Sequence, residues 1–225
     1  TNRIPQVETI VHNVNGKRTN VILGPTNHVI YGDGTITDHI KDLRFNLSPH
    51  SFFQVNPEQT TVLYDQALAY ADLKGDETVI DAYCGTGTIS LFLAHKAKHV
   101  IGIEIVEPAI INARENARRN GYDNTEFIVA DAAVEMPKLY KAGIRPDVIV
   151  FDPIRAGCKE EVLTSAASME PKRIVYVSCN PATMARDIEI LTHYSYELKE
   201  VQPVDMFPMT AHVEAVALLT RNEVT

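Results

Sequence analysis

The spacing of apolar and polar residues changes near residue 50 of the chain. Before that point, short β-like runs are broken by NGK, GPTN and GDG, which are typical turn sequences. The runs are QVETIVHNV, TNVILG and HVIYGDGTITDHI. We therefore predict a small β-rich segment over residues 1–50.

Residues 56–73 have the apolar spacing of a helix, with Pro57 near the first turn and Gly75 just beyond the end. From Thr78 onward, strand-like and helix-like segments alternate, which is typical of a parallel sheet with helices on both faces. The strand-like segments are ETVIDAY, HVIGIEI, TEFIVAD, PDVIVFDP and RIVYVSC; the helix-like segments are ISLFLAHKA, EPAIINARENARRNG, a stretch after Glu160, and PATMARDIEILTH. We predict an α/β domain over residues 51–225.

The last two strand-like runs, YELKEVQPVD and AHVEAVALLT, follow each other without a helix between them. This arrangement favours a hairpin, which would make the final strand antiparallel to the rest. The predicted fold class is thus α/β, with a mostly parallel seven-stranded sheet and a C-terminal antiparallel strand, preceded by the β-rich segment.

Composition excludes several classes of protein. The 225 residues are 45% hydrophobic, enough for a sizeable core. No apolar stretch approaches the ~20 residues of a membrane span, and the first ten residues lack the layout of a signal peptide. Cys84, Cys158 and Cys179 lie far apart, which argues against a disulfide framework or a CxxC-type zinc site. We expect a soluble, cytoplasmic protein with no membrane partner and no metal.

The net charge of −8 argues against non-specific binding of nucleic acid by the whole surface. Basic residues do cluster locally, although such clusters are more often solvated faces than binding sites. The clustered residues are Arg114, Arg118, Arg119, Lys159, Lys172, Arg173 and Arg186.

Ligands of open α/β sheets bind outside the carboxyl ends of the strands. After the first of these strands comes DAYCGTGTIS, where Gly85 and Gly87 permit a tight turn close to a ligand. Glu104 ends the second strand, where it could accept hydrogen bonds from both hydroxyls of a ribose. Asp131 follows the third strand and could receive the amino group of an adenine. Together they favour an adenosine-containing ligand over an ordinary turn with surface acids.

A nicotinamide-dependent oxidoreductase would place similar residues at this point. Its pyrophosphate fingerprint needs a third glycine, however, and Ser90 stands at that position. A ligand without phosphates, such as a methyl donor with an adenosine body, fits better.

Two residues carry candidate covalent chemistry. Cys179 ends a strand and precedes Asn180 and Pro181 at a helix start, where the helix N-terminus would favour a thiolate; the alternative is a small buried hydrophobe. Glu214 lies within the apolar run AHVEAVALL, where a charge is costly unless it is paired or belongs to a site. The alternative for Glu214 is the solvent face of an edge strand.

Five segments taken together resemble the S-adenosylmethionine-dependent RNA 5-methyluridine methyltransferases. They are FFQVNPEQ, DAYCGTGTIS, FDPIRAGC, VSCNPATMARD and HVEAVALL, and the similarity runs from about Ser51 to Arg221. The resemblance implies a Rossmann-like class I methyltransferase fold, S-adenosylmethionine as methyl donor, S-adenosylhomocysteine as product, and methylation of C5 of a uridine in RNA.

The resemblance also implies the roles of individual residues. C5 of uracil is a poor nucleophile, so the ring must first be activated by a nucleophile at C6, which would be Cys179; Glu214 would later remove the C5 proton. The cofactor would be held by Gln54, Tyr83, Gly85, Gly87, Glu104, Asp131 and Asp152, and the uridine by Gln54, Phe53, Asp152 and Arg155. Ile154 departs from the usual Asp-Pro-Pro-Arg sequence, which puts the rigidity of this loop in question.

The expected partner is RNA with the target uridine flipped out or in a loop. We favour 23S ribosomal RNA over transfer RNA because DAYCGTGTISLFLA and VFDPIRAGCKEEVL are more similar to bacterial ribosomal members. Family members carry an N-terminal RNA-binding barrel, and some hold an iron–sulfur cluster with four cysteines. We expect no such cluster here and a chain that is part of a longer monomeric enzyme, able to bind the methyl donor but a poor methylase by itself.

Two other functions remain open at this point. A methyltransferase for small molecules or proteins would use the same cofactor domain, but it has no use for a Cys/Glu pair. A non-catalytic RNA-binding module would share the fold, but the presence of Cys179, Glu214, Asp152 and Gln54 together counts against it.

Overall fold

The fold is organised around a seven-stranded sheet, in a computed structural model that describes residues 4–18 and 22–222. The strands are β1 (Ile10–Val14), β2 (Thr26–Tyr31), β3 (Ile36–Ile40), β4 (Leu43–Leu47), β5 (Thr78–Asp81), β6 (His99–Glu104), β7 (Thr125–Val129), β8 (Val148–Phe151), β9 (Arg173–Ser178), β10 (Tyr196–Val204) and β11 (Glu214–Arg221). The helices are α1 (Pro57–Ala71), α2 (Thr88–Ala94), α3 (Glu107–Arg119), α4 (Ala132–Lys141), α5 (Glu160–Ser168) and α6 (Pro181–Thr192).

The strand order of the large sheet is β10-β11-β9-β8-β5-β6-β7. Strands β5 to β9 pair in parallel, whereas β11 is antiparallel to both of its neighbours, β9 and β10. The predicted α/β fold with a C-terminal antiparallel strand is therefore confirmed. The edge strands of this sheet are β10 and β7, so the alternative that placed Glu214 on an edge strand is wrong.

The helices cover both faces of the sheet, as the alternating pattern predicts. One apolar core joins the sheet to α1, α2 and α3, and a second joins its other face to α4, α5 and α6. All four residues of β8 are buried, which is typical of a parallel strand covered on both sides. None of the helices in the described part of the chain is long and apolar enough to cross a membrane.

Helix α4 was not predicted from the sequence. Only Ala132 and Met136 of this helix are fully buried, and it contains Pro137, a residue that normally argues against a helix interior. Its start is fixed by Asp131, whose side chain accepts a hydrogen bond from the backbone of Ala133.

The β-rich segment consists of two antiparallel hairpins, β1–β2 and β3–β4, which form separate two-stranded sheets. Of the predicted run TNVILG, residues 19–21 lie outside the described part, and residues 22–24 are not in a strand. The second hairpin packs on the α/β domain: Phe45 is fully buried in the core beside α1, and the backbone of Asn46 donates to Asn116 of α3. The domain boundary near residue 50 stays a prediction.

Candidate active site

The sheet topology brings the predicted site residues to one edge. The loops after parallel strands meet at the carboxyl ends of those strands, and β11 begins there because it runs antiparallel. Around this edge lie Tyr83, Gly85 and Gly87 after β5, Glu104 at the end of β6, Asp131 after β7, Asp152 and Arg155 after β8, Cys179 after β9, and Glu214 at the start of β11.

Cys179 and Glu214 are brought together by the register of β9 and β11. Ala215 pairs with Ser178, so the next position places Glu214 opposite Cys179. Glu214 is only 3% exposed, and burial raises the pKa of its carboxyl, an effect that the Arg155 guanidinium opposes. A buried carboxyl with a raised pKa, beside a half-buried thiol, is a suitable arrangement for proton transfer.

The place of Cys179 before α6 does not by itself give it a lowered pKa. Burial raises the pKa of Cys179, and the charges of Glu214 and Asp152 raise it further, outweighing Arg155. The start of α6 offers few free donors, because Pro181 has no N–H and the Asn180 side chain accepts the N–H of Ala182.

The carboxyl of Asp152 interacts electrostatically with the carboxyls of Glu214 and Asp81. Burial raises the pKa of Asp152 well above its usual range, and the charges of Glu214 and Asp81 add to this effect. Neighbouring negative charges in such buried surroundings disfavour the ionised form, which is why the pKa of Asp152 rises.

Asp81 is a site residue that the sequence prediction missed. It ends β5 with no exposed surface, and its Oδ2 accepts a hydrogen bond of 2.6 Å from Ser90, whereas Oδ1 has no partner in the described structure. Burial raises the pKa of Asp81 to about 6. The hydroxyl of Thr86 is also buried without a partner. The available signal was an acid closing the apolar strand TVID.

The glycines shape a concave loop at the end of β5. Gly87 has a φ of +82°, and a Cβ there would lie 3.1 Å from the Cβ of Ala113 and 3.2 Å from the ring of Phe127. Gly85 has a φ of +53° and would point a Cβ into open space. The loop therefore leaves room for a ligand beside Gly85 and close to the unpartnered atoms of Asp81 and Thr86.

Gln54 is tied to the same loop through α1. Gln54 is 8% exposed and interacts with the phenol of Tyr64, which in turn lies 3.2 Å from the hydroxyl of Thr88 at the start of α2. Gln54 thus lies near the first turn after the glycines.

The two phenylalanines before Gln54 differ in their surroundings. Phe53, predicted to contact the uridine, is half-buried; its ring lies 5.8 Å from that of Phe45 and packs against the apolar core. Phe52 is 75% exposed. The structure therefore makes Phe52, rather than Phe53, available for stacking on a base.

Asp131 and Glu104 differ in how many hydrogen bonds their carboxylates already accept. Asp131 caps α4 with one carboxylate oxygen and accepts from Lys159 at 2.6 Å with the other, and these bonds hold its pKa below the usual range. Glu104 accepts from the backbone of Val106 with Oε1. If an adenine amino group donates to Asp131, it has to share a carboxylate oxygen that already accepts from Ala133 or from Lys159.

Ile154 put the rigidity of the loop after β8 in question. In the structure this loop is held against α6 by hydrogen bonds. Ile154 itself is 79% exposed, and the loop backbone rather than this side chain carries the contacts. The contacts are Asn180 to the carbonyl of Arg155 at 3.0 Å, Thr183 to the same carbonyl at 3.2 Å, Arg186 to the carbonyl of Ala156 at 2.9 Å, and the N–H of Cys158 to Asp187 at 2.7 Å.

The clustered basic residues are mostly paired within the chain. Six of the seven have an ion pair or a backbone partner, as expected for solvated faces. They are Arg114 with the Phe127 carbonyl, Arg119 with Glu115, Lys159 with Asp131, Lys172 with Asp147, Arg173 with Asp72, and Arg186 with Asp187.

Comparisons with known proteins agree with this geometry. The family model described as tRNA (uracil-5-)-methyltransferase matches residues 28–222. An uncharacterized RNA methyltransferase of Halalkalibacterium halodurans is 60% identical over 216 residues, covering 96% of this chain and 47% of that protein. One from Bacillus cereus is 57% identical over 221 residues, covering 98% of this chain and 48% of the relative. The chain thus spans about half the length of the curated relatives it matches.

A solved structure is similar over nearly the whole chain. The tRNA (uracil-54, C5)-methyltransferase of Pyrococcus abyssi, in complex with S-adenosyl-L-homocysteine, is 32% identical with a TM-score of 0.79. The similarity covers 95% of this chain and 51% of the other.

Proposed function

The chain belongs to the tRNA (uracil-5-)-methyltransferase family, and from that premise we propose that it transfers a methyl group from S-adenosylmethionine to C5 of a uridine in RNA. The observation that carries the proposal is the placement of Glu214 opposite Cys179 at the carboxyl edge of the sheet. This pair serves an addition and elimination at a pyrimidine ring, which acceptors that are already nucleophilic, such as amines, do not need.

The residues around the glycine loop fit the methyl donor. The unpartnered Oδ1 of Asp81 and the hydroxyl of Thr86 can accept from its amino group, and the open space beside Gly85 admits its body. Glu104 would bind the ribose, Asp131 the adenine, and Gln54, Tyr83, Gly87 and Asp152 would complete the pocket. When bound, S-adenosylmethionine supplies an electrophilic methyl group on sulfur and leaves as S-adenosylhomocysteine.

Cys179 would act on the uracil ring as a thiolate, its proton having passed to solvent. The positive charge of Arg155, which opposes the rise of the Cys179 pKa, favours this form. Sulfur adds to C6, and the electron pair of the C5–C6 double bond becomes available at C5 to take the methyl group. Asp152 would pair with the N3–H edge of the ring as Cys179 adds.

Glu214 would complete the reaction. After methyl transfer, C5 carries both a hydrogen and the methyl group, and the Glu214 carboxylate takes that proton. The electron pair of the C–H bond re-forms the double bond and expels the Cys179 thiolate. The raised pKa of Glu214 makes it a stronger base than an exposed glutamate.

We further propose that the substrate is 23S ribosomal RNA with a flipped-out uridine, and that the enzyme is a cytoplasmic monomer with an N-terminal RNA-binding domain. Residues 51–225 would form the catalytic domain. Because most RNA affinity would lie elsewhere, this chain would bind the methyl donor yet methylate RNA poorly. Transfer RNA is the second candidate, favoured by the similarity to the Pyrococcus abyssi enzyme.

Methyl transfer to defined RNAs tests the proposal. The full-length protein is incubated with labelled S-adenosylmethionine and either 23S ribosomal RNA or total transfer RNA, and the labelled nucleoside is identified after digestion. We expect 5-methyluridine in ribosomal RNA. Label only in transfer RNA would establish the second candidate, and absence of labelled 5-methyluridine from both RNAs would contradict the proposal.

A further inference from the structure

A buried polar cluster lies behind the candidate site, centred on Asp187 of α6. This residue has no exposed surface. Its Oδ2 accepts from the Tyr176 hydroxyl at 2.6 Å and from the N–H of Cys158 at 2.7 Å. Its Oδ1 accepts from the guanidinium of Arg186 at 2.6 and 2.8 Å. A buried carboxylate with four donors is well compensated for its loss of hydration.

Arg186 extends the cluster onto the loop after β8. Besides pairing with Asp187, its Nη2 donates to the carbonyl of Ala156 at 2.9 Å. Gly157 presses directly on the pair: a Cβ there would lie 2.5 Å from Asp187 Oδ2 and 2.7 Å from Arg186 Nη2. The path of this loop therefore depends on the Arg186–Asp187 pair.

The cluster also reaches the loop after β5. Tyr83 packs against the apolar core that contains Cys158, whose backbone N–H donates to Asp187. The loop with Asp152 and the helix whose start follows Cys179 thus meet at one carboxylate, and the glycine loop with Tyr83 packs next to it.

We propose that Asp187 is a positioning residue for the reaction. It locks the loop that carries Asp152 and Arg155 to α6, so that the group reading the uracil edge and the Cys179 nucleophile move as one body. The inference rests on the proposed function for its catalytic part, whereas the lock itself is a property of the fold. Misplacement of a reacting group by about 1 Å can slow catalysis on the order of a hundredfold.

Replacing Asp187 with asparagine separates the two halves of the lock. The amide oxygen can still accept from Tyr176 and Cys158, but the amide NH₂ then faces the donors of Arg186. Arg186 is therefore released from the loop while the core keeps its shape. In Arg186→Gln the carboxylate stays and the contact with Ala156 is lost.

The test compares D187N, R186Q and R186K with Glu189→Gln, an exposed acid on the same helix. Full-length proteins are incubated with 5-fluorouridine RNA and S-adenosylmethionine, and the rate of covalent complex formation is measured. Binding of S-adenosylhomocysteine is measured by calorimetry, and amide exchange is followed over residues 152–158 and over β8 and β9.

We expect D187N and R186Q to form the complex at least about tenfold more slowly, with partial rescue in R186K and no change in E189Q. Exchange over residues 152–158 should accelerate while β8 and β9 stay protected, and S-adenosylhomocysteine binding, to which Asp152 contributes only in part, should weaken by a smaller factor than complex formation slows. If D187N does not fold, the measurements on R186Q alone decide the test.

Wild-type complex formation in both D187N and R186Q would overturn the inference, as would a parallel loss of ligand binding and strand protection, which indicates general destabilisation. If the wild-type protein forms no complex, the proposed function has failed. Unchanged exchange over residues 152–158 would then overturn the lock as well, and faster exchange would support it.

Discussion

Glu214 lies opposite Cys179 across the antiparallel strands β11 and β9, because Ala215 pairs with Ser178. A free thiol and a buried carboxyl thereby share one end of the sheet, although 35 positions separate them in the chain. The order of addition and elimination assigned to them has separate consequences for each residue.

Replacement of Glu214 with glutamine removes the base and leaves the nucleophile. We expect methylation turnover to fall about a hundredfold or more, while a methylated Cys179–RNA complex accumulates on ordinary uridine RNA. Denaturing electrophoresis and mass spectrometry of the complex measure both effects. Glu197→Gln, an exposed change on the neighbouring strand β10, should behave as wild type. Normal turnover in E214Q would contradict the assigned base.

The Arg155 charge should control the pH dependence of complex formation. Arg155 lowers the pKa of both Cys179 and Glu214. In Arg155→Gln both pKa values rise, so less thiolate is present at pH 7 and the rate should be roughly tenfold lower there, recovering at alkaline pH. Arg155→Lys keeps the charge and should restore the profile in part. An unshifted rate–pH profile in R155Q would exclude this electrostatic role.

The buried charge of Asp81 should lower the stability of the fold while it strengthens binding of the cofactor. Its folded pKa of about 6 lies above the ordinary 3.8, so its stabilising contribution is fully present below about pH 4 and is lost as pH rises through 6. The difference between these two pKa values corresponds to about 3 kcal/mol of unfolding free energy lost at neutral pH. Asp81→Asn should therefore raise the free energy of unfolding at pH 7.5 by up to about 3 kcal/mol, but very little at pH 4.

The same D81N substitution should weaken S-adenosylhomocysteine binding at least about tenfold, because a charged acceptor for the amino group is lost. Denaturant unfolding at the two pH values and calorimetric titration measure the two effects. Ser90→Ala, which removes the neighbouring hydroxyl and keeps the carboxylate, is the matched control. Wild-type affinity in D81N would remove Asp81 from the cofactor site.

Replacement of Phe52 should weaken RNA binding, whereas replacement of Phe53 should lower stability. Phe53→Ala removes a half-buried ring from beside Phe45 and should destabilise the protein by about 1 kcal/mol or more. Phe52→Ala removes an exposed ring, so stability should change by less than about 0.5 kcal/mol while RNA affinity falls. Thermal unfolding and RNA titration decide between them, and equal RNA affinity in F52A and wild type would exclude stacking by Phe52.

The fold could be predicted from the sequence because its signals are local. Apolar runs such as VIVF and RIVYVS alternate with helical spacing, and two final runs without a helix between them indicate the antiparallel strand. Helix α4 escaped prediction because few of its residues are buried and Pro137, which argues against a helix in the sequence, lies inside it. Burial of Phe53 also depends on a partner, Phe45, that periodicity does not identify.

The site could be predicted only in outline. The strand-end positions of Cys179, Asp152 and Glu104 follow from the alternation of elements, but their protonation does not. The Cys179 pKa rises because folding places Glu214 and Asp152 beside it, which a helix-terminus argument alone cannot anticipate. Likewise, Asp187 is an unremarkable acid in the sequence, and its role appears only when β9, α6 and the loop after β8 are seen together.

The most direct test of the account is covalent trapping with RNA that contains 5-fluorouridine. Fluorine at C5 cannot be removed as a proton, so elimination of the thiolate is blocked after methyl transfer. With the full-length protein and S-adenosylmethionine, we predict a stable complex whose RNA adduct maps to Cys179 by mass spectrometry, retained in Cys158→Ala and absent in Cys179→Ala. A protein that binds both ligands yet forms no complex, or a complex on another residue, would contradict the account.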